Sequence, residues 1–435
     1  MMNPFMTQFT LLSLVAGAFQ TGVVGAQTSL ANGWVVTRTN ASSAANLPTD
    51  LHIMTYSLSS GDTGTALGIY TNGKSSTFVN SNGRTSRISL ESLSRDFEQF
   101  KFQSFYQLHL YGLAGGVTNM TRNFLTFGDD FVQSEFKHYN RSKNQATIPA
   151  EAALVLILYP YVISRILSAV SSCESYGNVD PEEELVSSLQ KSMTSFDEAL
   201  AYYVGNDQEI GSAETGYSFY SLSEKANLHF SKAGSDTAAS HSSVNMNIGA
   251  LVQEAYKYYS FPDACIKEST TAANLYSVAS RFISQSQITL VQMLIHSMAT
   301  KDLKRTKMYA TALIPQVIRC KPSAYRALYA SLLEKTYDPQ EFISIMEELQ
   351  QTYSCLGITC EDIGAYNNSK MGLVFGQCAD RPKILPIVGY TPKTDVYEVS
   401  CLPNEICYLS KQLILIKYAF AFSIYCCENQ HRYQK

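Results

Sequence analysis

The sequence predicts a mainly α-helical protein. Apolar residues recur at spacings of three and four along much of the chain, as on one face of a helix, and strand-like alternation is scarce. Hydrophobic residues make up 45% of the 435 residues and charged residues only 16%, so the chain can bury one large core or two medium ones. We therefore expect a multi-helix bundle with a loop-rich, disulfide-bearing C-terminal region.

The first 26 residues resemble an export signal. They carry no charge, and an apolar run from Phe9 ends at the small residues Gly25 and Ala26. This pattern predicts a signal peptide over 1–26 and a mature chain that begins at Gln27. A buried core helix is one alternative. Another is a bipartite plastid signal, because Ala16–Phe19 is similar to its cleavage site. A polar leader over 27–50 follows.

Residues 51–180 form a predicted N-terminal helical half. Its elements are one helix over Met54–Tyr70, a loop, and a helix that begins near Ser89. The apolar run Ala152–Val170 approaches membrane length, but Arg165 interrupts it. It also contains a proline, so we interpret it as a buried, kinked helix and expect no transmembrane span.

Residues 181–400 form a predicted C-terminal helical half. Its first helix begins at Pro181, and a helical hairpin over Ser192–Phe230 follows. Asp338 before Pro339 has the pattern of a helix cap. Both halves contain an apolar run with a proline, then Val-Ile and a basic residue, which suggests an old duplication. The tail over 401–435 is apolar but contains Lys417, and it predicts a terminal helix too short for a membrane span.

Ten cysteines favour disulfides if the chain is exported. A zinc site is the alternative, but no Cys-x-x-Cys pair occurs. Cys360 and Cys378 are the pair that we expect, since they enclose a loop around Asn367. Glycosylation sequons, which suit an exported glycoprotein, begin at Asn40, Asn119, Asn140 and Asn367.

Composition and motifs exclude several function classes. The net charge of −4 offers no footprint for nucleic acid. The loop Gly73-Lys74-Ser75 lacks the apolar strand that should precede a phosphate-binding loop, so it does not predict nucleotide binding. No G-x-S-x-G, H-E-x-x-H or G-x-G-x-x-G motif occurs, and the seven histidines form no i, i+4 pair. We therefore predict that the protein is not an enzyme.

The hairpin over Ser192–Phe230 concentrates carboxylates and phenols. Residues of the second helix recur at spacings of three and four, which predicts one shared face. These groups are hard oxygen ligands of the kind that Fe³⁺ prefers. The alternative is that the tyrosines are core residues with solvated hydroxyls. The candidate ligands are Asp197, Glu198, Tyr202, Tyr217, Tyr220 and Glu224.

A second candidate group lies in the N-terminal half. Tyr106 and His109 are one turn apart in the segment FYQLHLYG. Asp129 and Asp130 follow in the next helix and could support them. A bound cation would lower the pKa of a phenol, as it does for other ligands.

The chain resembles the secreted algal iron-assimilation proteins and the related phytotransferrin domains. The likeness runs from about residue 50 to about residue 400. It rests on the hairpin, where DEALAYYVG precedes GYSFYSLSEK, and on the segments ALGIYTNGKSS, FYQLHLYG, LYPYVISRILSAVSSC, VNMNIGALVQEA, ALIPQVIRC and SCLGITCEDIG. The resemblance implies a secreted or cell-surface protein that binds Fe³⁺, with or without carbonate, through Tyr, Asp and Glu oxygens. Its partner would be the metal ion or a protein of the cell surface.

The chain departs from this family at three places. It has no cysteine in KANLHFSKAG, where the family has a pair, and it has basic residues in KDLKRTKMYATALIP and at Arg165. These basic residues either remove metal ligands or supply a site for carbonate. The alternative function is therefore a structural or protein-interaction protein that keeps the family scaffold without binding metal.

Overall fold

The computed structural model describes most of the chain between residues 28 and 375. The described ranges are 28–30, 34–36, 39–79, 82–100, 104–115, 126–139, 145–174, 181–206, 217–231, 241–261, 264–266, 269–368 and 373–375. Outside these residues lie the predicted signal peptide, Cys378, the tail over 401–435 and the sequon residues Asn119 and Asn140. What we expect of those segments remains a prediction.

The predicted mainly α fold is confirmed. The helices are α1 (Ser42–Ala45), α2 (Leu47–Ser60), α3 (Thr63–Asn72), α4 (Leu90–Phe100), α5 (Ser104–Leu113), α6 (Phe127–Lys137), α7 (Ile148–Ala153), α8 (Tyr159–Glu174), α9 (Pro181–Val204), α10 (Phe219–Asn227), α11 (Ser243–Tyr259), α12 (Thr271–Ala299), α13 (Leu303–Leu313), α14 (Pro322–Tyr329), α15 (Phe342–Gln351) and α16 (Cys360–Ile363). Tighter 3₁₀ turns cover Ile314–Val317 and Pro339–Glu341, and wider π turns cover Leu154–Leu158 and Ala330–Glu334.

The strands are short and all of their pairings are antiparallel. They are β1 (Thr28–Ser29), β2 (Val35–Val36), β3 (Thr77–Val79), β4 (Thr85–Arg87), β5 (Phe230–Ser231), β6 (Ala365–Asn368) and β7 (Leu373–Phe375). β1 pairs with β2 and β3 with β4. The third sheet has the order β5-β6-β7, with Phe230 opposite Tyr366. This last sheet joins the hairpin segment to the C-terminal part of the described chain.

The helix predicted over Met54–Tyr70 is two helices. Gly61 has φ +90°, a conformation that favours glycine, and it ends α2. The carboxylate of Asp62 then accepts a hydrogen bond of 2.9 Å from the Thr65 amide and caps α3. The residue that ends α2 is therefore followed directly by the residue that caps α3, and the chain turns between them.

A buried carboxylate organises the loop after α3. Asp50 is fully buried, and its two oxygens accept hydrogen bonds from the backbone amides of Lys74, at 2.8 Å, and Ser75, at 2.7 Å. Gly73 has φ +64°, and a Cβ there would lie 2.2 Å from the Ile88 carbonyl oxygen. The loop is therefore held tightly against α2, where Asp50 lies.

The apolar run around Pro160 is buried, as predicted. Just before the proline, the Tyr159 amide donates to the Leu154 carbonyl, five residues back, so the irregularity takes the form of a π turn. Among the described residues, Ile148–Glu174 is one helix that is long and apolar enough to cross a membrane, and 83% of its apolar window is buried within the protein. The run therefore serves as a central core element here.

One continuous core extends across residue 180. α8 and α9, which lie on either side of the predicted boundary between the halves, pack against each other along their lengths. Buried residues from α2 to β6 belong to a single hydrophobic cluster. The packing therefore joins the two predicted halves into one core. Their division at residue 180 remains a prediction.

The prediction of intramolecular disulfides is confirmed. Cys173 at the end of α8 is bonded to Cys265, ahead of α12, and Cys320 is bonded to Cys355. Cys360 is disulfide-bonded as well, and its partner lies outside the described residues. The pairing of Cys360 with Cys378 therefore remains a prediction.

Replacing Gly112 with alanine is expected to lower the free energy of unfolding by about 1–3 kcal/mol, the usual cost of overpacking. Gly112 lies on α5 against the turn Ile314–Val317, and a Cβ there would lie 2.4 Å from the carbonyl oxygen of Pro315. Backbone atoms cannot easily move away. Denaturant unfolding monitored by circular dichroism measures the change.

Gly68→Ala is the matched control. Gly68 also lies in a helix, α3, but a Cβ there would meet nothing within 4 Å. Alanine is the better helix former, so this variant is expected to gain about 0.5–1 kcal/mol. Equal effects of the two substitutions would contradict the close approach of α5 to Pro315.

Candidate functional site

The hairpin exists, but its second helix begins later than the sequence suggested. Ser218 is the N-cap of α10, and its hydroxyl accepts a hydrogen bond from the Ser221 amide. Tyr217 therefore precedes the helix and does not share a helical face with Tyr220 and Glu224, which corrects the prediction. Its ring packs edge-on against His52, with ring centroids 5.0 Å apart.

Glu224 is the buried carboxylate at the centre of the candidate site. Its Oε2 accepts from the Ser242 amide at 2.9 Å, and its Oε1 accepts from Nδ2 of Asn245 at 2.7 Å. Ser242 is the N-cap of α11, so the negative charge lies at the positive end of a helix. Tyr220 lies one turn earlier on α10, and the charge of this carboxylate contributes to raising the pKa of its phenol.

Two further phenols are linked to this group, Tyr203 to Glu224 and Tyr159 to Tyr203. Tyr203 on α9 donates to Oδ1 of Asn245 at 2.9 Å. Tyr159 stacks on Phe219, with centroids 4.6 Å apart, and its buried hydroxyl has no hydrogen-bond partner among the described residues. The charge of Glu224 and the phenols of Tyr159 and Tyr220 all act on Tyr203. We call Tyr159, Tyr203, Tyr220 and Glu224 the phenol cluster.

The three phenols are neutral at neutral pH. Burial raises the pKa of Tyr159 and, together with the charge of Glu224, that of Tyr203, far above the ordinary value of 10. Burial, followed by the charge of Glu224, raises the pKa of Tyr220 to about 12. Only a nearby positive charge would make these hydroxyls ionise.

The candidate ligands on α9 contact other residues. Asp197 is fully buried, and its two oxygens accept from Tyr256, at 2.7 Å, and from Thr39, at 3.0 Å. Glu198 forms an ion pair with Arg165. The ring of Tyr202 packs edge-on against another tyrosine at a centroid distance of 5.4 Å. Of the predicted ligands of the hairpin, Tyr220 and Glu224 interact electrostatically with each other.

The residues of the second candidate group, Tyr106 and His109 with their two supporting acids, also contact separate partners. His109 is buried on α5, and because the amide nitrogen of Gln316 donates to its Nδ1 at 2.5 Å, its proton lies on Nε2. That Nε2 has no hydrogen-bond partner among the described residues, and burial lowers the pKa of the ring to about 3. Tyr106 is buried nearby on α5, and burial raises its pKa.

The supporting acids of that group have their own partners. Asp129 accepts a hydrogen bond of 2.5 Å from the hydroxyl of Tyr70, and Asp130 accepts one of 2.9 Å from Thr126. The observed contacts therefore connect these acids to α3 and to the start of α6. A role for Tyr106 and His109 as metal ligands remains a prediction.

Several of the basic residues noted in the sequence are paired with acids. Arg305 bonds to Glu151 at 2.8 Å and to Asp302 at 2.7 Å, and Lys304 bonds to Glu135 at 2.6 Å. With the pair of Arg165 and Glu198, these basic residues have carboxylate partners within the protein. They stabilise the fold locally instead of leaving free positive charge.

Within the part of the chain that the structure describes, no group of three or more His, Cys, Asp and Glu side chains could hold a metal ion. The sequence reasoning did not select Tyr159, Tyr203 or Asn245 for the site. Tyr159 was hidden in an apolar run, although a buried phenol in such a run needs a hydrogen-bond partner.

Comparison of the chain with protein-family models, with curated proteins and with solved structures found no match in any of the three.

Proposed function

We propose that this is an exported, non-catalytic protein that binds Fe³⁺ at the phenol cluster. The observation that carries the proposal is that the buried carboxylate of Glu224 acts on two buried phenols, those of Tyr203 and Tyr220. A third phenol, that of Tyr159, acts on Tyr203, and its hydroxyl has no hydrogen-bond partner among the described residues. A buried polar atom of this kind costs free energy unless a ligand satisfies it. Phenolate and carboxylate oxygens are hard donors suited to a ferric ion.

Charge balance supports a ferric ion as the cargo. Glu224 and two ionised phenols would together carry three negative charges, equal to the charge of Fe³⁺. The third phenol could then remain neutral and donate a hydrogen bond. Each oxygen of Glu224 accepts one hydrogen bond from the α11 side, and a carboxylate oxygen has a second lone pair available for a metal.

Disulfides support the export that the proposal includes. Cys173–Cys265 and Cys320–Cys355 are closed, and such bonds persist mainly in oxidising compartments. Carbonate is included as an optional second ligand, and a cell-surface protein would be the partner that receives the iron.

The test is ferric loading of the purified mature chain, with and without bicarbonate. Bound phenolates are expected to give a visible charge-transfer absorption band, and elemental analysis gives the stoichiometry. Tyr203→Phe and Tyr220→Phe each remove one hydroxyl and are expected to weaken iron binding and reduce the band. Tyr56→Phe, at an exposed tyrosine, is the matched control and is expected to change neither.

Iron affinity is expected to fall as the pH falls. Each phenol that becomes a ligand must lose its proton, so protons compete with the metal. Below the pKa of the free phenols, the apparent affinity should decrease by about tenfold per pH unit for each proton released. Measuring the affinity between pH 6 and pH 8 in wild type and in Tyr220→Phe would show one proton fewer for the variant.

A structural or protein-interaction role without metal is the second candidate. It is favoured by the internal partners of Asp197 and Glu198, whose oxygens bond to Tyr256, Thr39 and Arg165. In that case the phenol cluster is a hydrogen-bonded part of the core. Wild type that takes up no iron under any of the loading conditions would establish this alternative against the metal proposal.

A further inference from the structure

Asn40 lies in an exposed turn between two anchored neighbours. Thr39 is buried, and its hydroxyl donates to Oδ2 of Asp197 at 3.0 Å, which fixes the turn to α9. Ala41 is buried as well, and its amide donates to the hydroxyl of Thr28 at 3.1 Å. Asn40 between them is exposed to solvent. The backbone is therefore held on both sides of a side chain that solvent reaches.

The side chain of Asn40 is oriented by the residue two positions later. Its Oδ1 accepts a hydrogen bond of 3.2 Å from the amide of Ser42 and one of 2.7 Å from the hydroxyl of Ser42. This is an Asx turn, in which an asparagine side chain bonds to the backbone two residues on. Both bonds go to the carboxamide oxygen, and Nδ2 donates no hydrogen bond to a described residue. The exposed side chain therefore presents its nitrogen without an internal partner in the described chain.

We propose that Nδ2 of Asn40 carries an N-linked oligosaccharide. The residues Asn40-Ala41-Ser42 have the acceptor sequence for this modification, in which the middle residue is not proline. A glycan is bulky and hydrophilic, so the folded protein can carry it only at an exposed position, such as this one. The inference rests on the export proposed above, but it depends neither on iron nor on the phenol cluster.

The sugar donor would be an oligosaccharide linked to a lipid through a diphosphate. Nδ2 forms a bond to C1 of the terminal N-acetylhexosamine, and the bond from C1 to the diphosphate oxygen breaks. The electron pair of that bond leaves with the diphosphate, and Nδ2 gives one of its two protons to a base of the transferase. Because Asn40 and Ser42 are only two positions apart, their turn can form before the rest of the chain folds.

The experiment is peptide mapping of the full chain produced in a eukaryotic cell line, once with its own amino-terminal segment and once behind a foreign export signal. Enzymatic removal of an N-linked glycan converts the asparagine carboxamide to a carboxylate, which mass spectrometry locates. Asn40 is expected to be converted in the exported protein. The map resolves each sequon separately, so glycans at Asn119, Asn140 or Asn367 do not affect the result.

Two substitutions at one position separate the hydroxyl from the rest of the turn. Ser42→Ala removes the hydroxyl and is expected to abolish the glycan at Asn40, whereas Ser42→Thr keeps a hydroxyl and should retain the glycan. Asn40→Gln should lose it as well. The matched control is Asn72→Gln, at an exposed asparagine outside any sequon, which is expected to leave the occupancy of Asn40 unchanged.

The outcomes distinguish this inference from the proposed function. An exported chain with unmodified Asn40, behind either signal, would overturn the inference and leave export and iron binding unaffected. Equal occupancy of Asn40 in Ser42→Ala and wild type would also overturn it, because the Ser42 hydroxyl would then play no part. A chain that stays in the cytosol with its own amino-terminal segment would instead contradict the export on which the modification depends.

Discussion

Replacing both Cys173 and Cys265 with alanine is expected to lower the free energy of unfolding by about 4.6 kcal/mol. The two cysteines are 92 residues apart, and a bond between them removes the conformational freedom of that long loop from the unfolded chain. The bond also joins the end of α8 to the segment ahead of α12, two central core helices. Chemical denaturation of the double variant measures the loss.

The second bond supplies the control. Cys320 and Cys355 are 35 residues apart, and the same relation between loop length and entropy gives about 3.8 kcal/mol for their removal. The double variant at Cys173 and Cys265 should therefore be the less stable of the two. The reverse order would mean that native packing around the bonds, and not loop length, determines their contribution.

Wild type is expected to lose roughly 5 kcal/mol of stability between pH 6.5 and pH 3 through His109 alone. The pKa of this ring is 6.5 in an unfolded chain and about 3 when buried against Phe127. Within that interval the unfolded chain binds the proton and the folded chain does not. The difference of about 3.5, at 1.36 kcal/mol for each pKa unit, gives the estimate. Stability is fully present above pH 6.5 and decreases as the pH falls.

His109→Asn isolates this effect. Asparagine offers an acceptor near the position of Nδ1, so Gln316 can keep a partner, but the side chain does not titrate. The variant should show a flatter dependence of unfolding free energy on pH, whereas His138→Asn, at an exposed histidine, should follow wild type. Parallel curves for wild type and His109→Asn would show that His109 is not buried as a neutral ring.

Local sequence patterns predicted the parts of the fold that depend on neighbouring residues. Pro181 does begin α9, and Asp338 does cap the turn at Pro339, where its carboxylate accepts from the Gln340 amide at 2.9 Å. The long apolar pattern before Thr300 forms α12 as one helix. In each case the cause lies within a few residues of the element, so a single sequence is sufficient.

The candidate site could be predicted only in part, because its chemistry depends on residues distant in sequence. Spacing along α10 correctly placed Tyr220 beside Glu224. It could not show that Asp197 bonds to Thr39, a partner 158 positions earlier, or that Tyr203 bonds to Asn245. Hydrogen-bond partners of buried acids are determined by helix packing, which periodicity along one helix does not reveal.

The backbone amides of the loop after α3 are already hydrogen-bonded within the protein, which bears on nucleotide binding. In a phosphate-binding loop, successive backbone amides point at an empty space that the ligand's oxygens fill. Here the amides of Lys74 and Ser75 already bond to the carboxylate of Asp50. The protein supplies its own carboxylate oxygens to these amides, on a side chain that is covalently attached. Because the Asp50 carboxylate accepts from these amides, they are not available to an incoming phosphate. The Gly-Lys-Ser sequence instead links the end of α3 to α2.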